Sequence, residues 1–141
     1  MRLIVVIVNL LKVEETSQMA KRVLLIEDEP NIIEAISFIL TRDGWTVHTH
    51  EDGLTAMDKV LALPPDLIIL DVMLPGRSGF DILRELRATP ITAKVPIMML
   101  TARGQARDRE LAARLGANHF MTKPFSNAEV RDHVRDLMGA V

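Results

Sequence analysis

The sequence predicts an α/β fold, a doubly wound five-stranded parallel sheet, on three observations. Short, nearly continuous apolar runs recur along the chain, as in parallel strands covered on both faces. Stretches of helical period with one apolar stripe separate them. The links between runs are short, so right-handed crossovers stack five β-α units into one sheet with helices on both sides.

Each unit can be read in turn. RVLLI, Arg22 to Ile26, is an interior strand. Pro30 suits the first turn of a helix whose stripe is Ile32, Ile33, Ile36, Ile39 and Leu40, and Gly44 stands where a C-terminal cap belongs. WTVHT, Trp45 to Thr49, alternates more and belongs nearer a sheet edge; Leu54, Met57, Val60 and Leu61 trace the second helix. LIIL, Leu67 to Leu70, is interior again, followed by a helix with Ile82, Leu83 and Leu86 inside. IMML, Ile97 to Leu100, precedes a fourth helix marked by Leu111 and Leu115 and closed by Gly116. HFMT, His119 to Thr122, makes a short fifth strand, and Val130, Val134 and Leu137 stripe the last helix.

At 141 residues, 48% hydrophobic and 26% charged, the chain has the size and balance of one globular domain with a sizeable core. A formal charge of -2 and a pI near 6.1 exclude the basic excess of a nucleic-acid binder. The absence of cysteine removes disulfides, thiolate nucleophiles and Cys-ligated metal centres, and fits a reducing cytoplasm. Residues 1–20 read as an extension to the domain at 21–141. Their apolar run, Leu3 to Leu11, is far short of the roughly 20 residues that span a bilayer. Arg2 and the run resemble an export signal, but Glu14, Glu15 and the lack of an Ala-x-Ala pattern argue against one. A start upstream of the natural-looking Met19-Ala20-Lys21 and an accessory strand both account for the segment.

Open α/β sheets gather functional groups at the carboxyl ends of their strands. The first strand runs into Glu27-Asp28, the third into Asp71, the fourth into Thr101 and the fifth into Lys123-Pro124. Singly, each has a plain role: Glu27, Asp28 and Glu29 favour a helix N-terminus, Asp71 or Thr101 caps a turn, Lys123 is a solvated charge. Together they place polar groups after four strands on one edge, with the acids on the central ones. Three clustered carboxylates repel, and an all-oxygen set that retains waters suits Mg²⁺. A carboxylate beside Mg²⁺ can attack a phosphoryl group whose oxygens are neutralised by the metal, an ammonium and a hydroxyl, giving an aspartyl phosphate.

Four segments, LLIEDEPNI (Leu24 to Ile32), DLIILDVMLPGRSGFDIL (Asp66 to Leu83), PIMMLTA (Pro96 to Ala102) and GANHFMTKPF (Gly116 to Phe125), together resemble the receiver domain of two-component response regulators. The likeness runs from Lys21 to Met138. It implies the flavodoxin-like strand order 2-1-3-4-5, Asp71 as phosphoacceptor, and Asp28, Asp71 and the Met73 backbone carbonyl as direct Mg²⁺ ligands with Glu27 acting through water. It implies that Thr101 and Lys123 hold the phosphoryl oxygens, that Lys123-Pro124 is cis, and that Phe120 is the aromatic switch residue moving with Thr101. Ala102 leaves the site accessible, and Met73 and Arg103 flank the path of the attacking water, which would make them set the phosphate's lifetime. The implied partners are a sensor histidine kinase or histidine phosphotransfer protein and a protein target at the face of the fourth helix, fifth strand and fifth helix. No direct nucleic-acid contact, no membrane span and no enzymatic activity beyond its own phosphoryl transfer and autodephosphorylation are expected. A complete chain of this kind is a single-domain regulator; an excised one has its output elsewhere.

Other features are plainer. His48 and His50 alternate on a strand without a third ligand and read as solvent-facing. Neither His119 nor His133 has a sequence neighbour that suggests a catalytic base. Arg103, Arg107, Arg109 and Arg114 read as a solvated basic face. An aspartate-nucleophile phosphatase would need a second Asp where Met73 stands, and a flavodoxin-like cofactor protein would meet repulsion from Glu27-Asp28-Glu29 in its first loop. The complete set of reactive positions argues against a phosphorylation-independent module.

Overall fold

The structure, a computed structural model, describes residues 21–139; the expected extension at residues 1–20 lies outside the described residues. Its elements are β1 (Arg22–Ile26), α1 (Pro30–Arg42), β2 (Thr46–His50), a 3-10 turn (Gly53–Thr55) leading into α2 (Ala56–Ala62), β3 (Leu67–Asp71), α3 (Gly79–Ala88), β4 (Ile97–Thr101), α4 (Ala106–Leu115), β5 (His119–Thr122) and α5 (Asn127–Met138). All pairings are parallel and the order is β2-β1-β3-β4-β5, as expected.

The period of two along each strand divides the core between the two faces. Leu24, Ile26, Ile68, Leu70, Ile97 and Met99 pack with Met57, Val60, Ile82, Leu83 and Leu86 under α2, α3 and α4. Val23, Leu25, Leu67, Ile69, Met98 and Leu100 pack with Ile36, Ile39, Leu40, Val130 and Val134 under α1 and α5. Every residue of β3 and β4 is buried, which is why their sequences are continuous apolar runs, whereas β2 on the edge has no fully buried residue. An Asp43–Arg135 ion pair ties the end of α1 to α5.

The helix ends carry their own signals. Ser78 accepts the Phe80 N–H ahead of α3, and Ser126 with Glu129 forms a reciprocal capping box ahead of α5. Gly44 and Gly116 both adopt positive φ, 96° and 102°, at helix C-termini. Gly79 is required by close approach: a Cβ there would come within 2.1 Å of the Asp71 carbonyl oxygen. The chain therefore folds back on the end of β3 as α3 begins.

Three expectations need adjustment. Strand β2 begins one residue later than the alternation suggests, because Trp45 turns into the core beside α1, its indole N–H 3.3 Å from Asp43 Oδ2. Leu54 and Leu61, at 68% and 45% exposed, are not part of the buried stripe of α2. Asp52 accepts the Leu54 N–H and starts a 3-10 turn, so the α-helix begins only at Ala56, which takes the inward position instead. In α4 the buried residue is Ala112, with Leu111 and Leu115 half-buried.

Candidate functional site

The strand ends bring the charged residues together. Glu27 follows β1 directly; its N–H still donates to the His50 carbonyl (3.0 Å), so the side chain stays fully buried. Glu27 Oε2 accepts the backbone N–H groups of Asp28 (2.9 Å) and Glu29 (3.1 Å). Asp71 closes β3, 1% exposed, and its Oδ1 accepts the Met73 N–H at 3.0 Å. Thr101 closes β4 one residue past the partner of Asp71, is equally buried, and its Oγ1 accepts the Arg103 N–H at 3.1 Å. Lys123 follows β5, its N–H 2.7 Å from the Thr101 carbonyl, and the Lys123-Pro124 bond is cis.

The Lys123 ammonium lies 2.7 Å from Glu27 Oε1, 2.9 Å from Glu29 Oε1 and 3.4 Å from Asp71 Oδ2. Burial pulls its pKa down, but the contacts with Glu27 and Glu29 outweigh that, and the group is held above the ordinary lysine value. The acids respond the other way. Burial raises the Glu27 carboxyl, with the neighbouring Asp71 adding to the rise and Lys123 opposing it. Burial also raises Asp28, with Glu27 and Glu29 adding to it. One ammonium does not neutralise this much negative charge.

Oxygens of Glu27, Asp28 and Asp71 lie within 4.8 Å of one another, the one such metal-capable group among the described residues. Glu27 Oε1 is buried and receives no aligned hydrogen bond, since the ammonium beside it approaches off the hydrogen-bonding direction. An orphaned buried carboxylate oxygen in an all-oxygen set fits a hard divalent cation. An open cleft of about 650 Å³ starts at Val72 and Met73, the two residues after Asp71, and Arg103 also lines it, its Nη2 3.3 Å from Met73 Sδ.

Phe120 on β5 pairs with Met99, two residues before Thr101, and is half-buried. The Arg109 guanidinium lies 4.9 Å from its ring centroid, a cation-π contact that the basic-face reading of Arg109 missed. The sequence reading also missed Glu29 as a partner of Lys123, 94 residues away; nothing local distinguishes it from a charge placed for the helix dipole. His48 is exposed and His50 half-buried, its Nε2 2.7 Å from Thr55 Oγ1. His119 does have a carboxylate neighbour, Asp136, at 3.0 Å, brought by the packing of α5 against β5, with the His133 ring 5.0 Å away.

The comparisons agree with this fold. The model of the response regulator receiver domain matches residues 23–135. The phosphate regulon transcriptional regulatory protein PhoB of Escherichia coli is 39% identical over 120 residues, 85% of this chain and 52% of that protein. The alkaline phosphatase synthesis transcriptional regulatory protein PhoP of Bacillus subtilis is 40% identical over 85% of this chain and 49% of its own length. The chain thus spans about half the length of the curated relatives it matches. Among solved structures, a putative response regulator from Chloroflexus aurantiacus superposes with a TM-score of 0.80 at 30% identity, covering 84% of this chain and 97% of that one. The receiver domain of a Pseudomonas aeruginosa sensor histidine kinase, with a magnesium ion coordinated in its active-site cleft, superposes at 0.78 with 32% identity, over 85% of this chain and 98% of that one.

Proposed function

The chain belongs to the response regulator receiver family, and from that premise we propose that Asp71 accepts a phosphoryl group from a phosphohistidine of a sensor kinase or histidine phosphotransfer protein and thereby acts as a cytoplasmic signalling switch. The receiver is residues 21–141, with 1–20 as an extension to it. The observation that carries the proposal is the position of Asp71: buried at the end of β3, among acids whose oxygens lie within 4.8 Å, and 3.4 Å from the Lys123 ammonium.

Asp71 Oδ attacks phosphorus in line, the P–N bond of the donor breaks, and the imidazole leaves with the electron pair. Mg²⁺ held by Asp28, Asp71 and the Met73 backbone carbonyl, with Glu27 acting through a water, would neutralise charge on the transferred phosphoryl oxygens. Lys123 donates to a phosphoryl oxygen, and Thr101 donates its hydroxyl while the Arg103 N–H contact that now fixes Oγ1 is given up. The new dianion biases the face of α4, β5 and α5 between two arrangements, with Phe120 following Thr101 and the Arg109 contact over its ring changing with it. That face is the one offered to a downstream protein. Converting it from 1:99 to 99:1 requires about 5.5 kcal/mol of differential stabilisation, within reach of several charge-assisted contacts. Turnover is confined to the protein's own phosphate. Among the described residues no helix is long and apolar enough to cross a membrane.

Incubation of the protein with a small acyl phosphate and Mg²⁺ is expected to add one phosphoryl mass that is absent from Asp71→Ala; an unmodified wild type, or an Asp71→Ala variant still modified, defeats the proposal. Met73 and Arg103, in contact over the cleft, set the phosphate's lifetime by screening the path of water. Met73→Ser with Arg103→Ser should therefore change the first-order decay rate of the phosphoprotein, and an unchanged rate would refute that role.

A further inference from the structure

Of the three N–H donors of the Lys123 ammonium, Glu29 and Asp71 each accept one, and Glu27 Oε1, 2.7 Å away but off the hydrogen-bonding direction, crowds its remaining side. A phosphoryl oxygen arriving at Asp71 needs one of those donors. Burial decides which acid yields. Glu27 is fully buried, with Oε2 fastened to two backbone N–H groups, so removing the ammonium would strand its charge in the core. Asp71 is the group that takes up the phosphoryl. Glu29 differs from both: its side chain is 56% exposed, and the Lys123 contact is its one side-chain hydrogen bond among the described residues. Water can replace the ammonium there at little cost.

We infer that Glu29 is a positioning residue for phosphoryl transfer, its carboxylate holding the place on the Lys123 ammonium that the phosphoryl group takes over. The inference rests on the reading of Asp71 as phosphoacceptor. Release of Glu29 leaves α1 intact, because the helix start is held by the Glu29 carbonyl, which accepts the N–H groups of Ile32 and Ile33, and by Pro30, while the Glu29 side chain takes no part in capping. Glu29 is thus an exchangeable ligand of Lys123 that keeps the ammonium oriented toward the pocket and competes with the incoming group. Before transfer the competition lowers the pocket's affinity for a phosphoryl mimic; afterwards the freed carboxylate stands in water at the head of α1.

The test compares the affinity of the full chain for beryllofluoride at saturating Mg²⁺, followed by the Thr101 amide shift, in wild type, Glu29→Gln and Glu29→Asp. Aspartate keeps the charge but is about 1.5 Å shorter, one carbon–carbon bond, and so loses the ammonium. Both variants are expected to bind roughly two- to fivefold tighter, the range of an exposed ion pair. Unchanged or weaker binding by both overturns the inference, as does tighter binding by Glu29→Gln alone, which would reflect net charge rather than competition for Lys123. A wild type that fails to bind beryllofluoride overturns the phosphoacceptor reading itself, a distinct outcome.

Discussion

At the carboxyl edge of the sheet, Glu27, Glu29 and Asp71 crowd a single ammonium, with Asp28 beside them; at the opposite edge one guanidinium, Arg87 near the end of α3, is wrapped in neutral oxygens. Arg87 Nε donates to the Gly116 carbonyl (2.9 Å), Nη1 to the carbonyls of Val95 (2.7 Å), Ala93 (3.1 Å) and Thr92 (3.3 Å), and Nη2 to Asn118 Oδ1 (2.9 Å). Asn118 Oδ1 in turn accepts the Ile97 N–H at 2.9 Å. Burial lowers the pKa of Arg87, yet no carboxylate among the described residues pairs with it; its fork is filled by the loops before β4 and β5. Both ends bury charge. One engages all three guanidinium nitrogens and holds two loops together, while the other leaves an excess of negative charge and an orphaned oxygen that a cation or phosphoryl chemistry can resolve. A buried charge is a structural device when its partners match it, and a candidate for chemistry when they do not.

The sharpest way to break this contrast is at Arg87. Arg87→Ala leaves several partly buried carbonyls without their donor and should lower the unfolding free energy by roughly 3 kcal/mol, read from the urea midpoint at constant slope, while beryllofluoride affinity changes less than about twofold. Arg87→Lys should recover little, because one ammonium cannot span Gly116, Val95 and Asn118. A loss below about 1 kcal/mol for Arg87→Ala would show that the clamp is ornamental.

A smaller effect separates the two ends by pH. Glu27 and Asp28 have folded pKa values above their ordinary 4.5 and 3.8, so between those values and the raised ones the folded state holds more protons than the unfolded. Their contribution to stability therefore declines as pH rises through that window in metal-free protein, and saturating Mg²⁺ should flatten the decline. Asp43 has the opposite sign: its hydrogen bond with Arg135 lowers its folded pKa below 3.8, so its contribution is present above that pH and is lost as pH falls through the folded value. Urea titrations from pH 3 to 7 with and without Mg²⁺ check both signs, and a metal-independent profile would remove the site from the account.

Much of this was legible because it is local. The continuous apolar runs of β3 and β4 announce burial on both faces, the Pro30 and Gly116 signals mark helix ends, and polar residues directly after strands fall on one edge of any parallel sheet. The departures are local as well: alternation alone places a strand start at Trp45, and helical period alone places Leu54 and Leu61 in the core, because an Asp52 cap that delays a helix looks like any other polar residue. Neither Arg87 nor Glu29 could be singled out. Arg87 lies in a helix stretch where a basic residue suits the C-terminal dipole, and its partners at Gly116 and Asn118 are 29 and 31 residues away.

The sequence by itself determined the five β-α units, the edge at which their polar residues collect and the acidic character of that edge, since periodicity and chain direction are properties of neighbouring residues. Only the tertiary structure decided which charges are matched. That depends on distances between residues remote along the chain and on how much water each retains, and both quantities arise when the sheet closes and the helices pack against it.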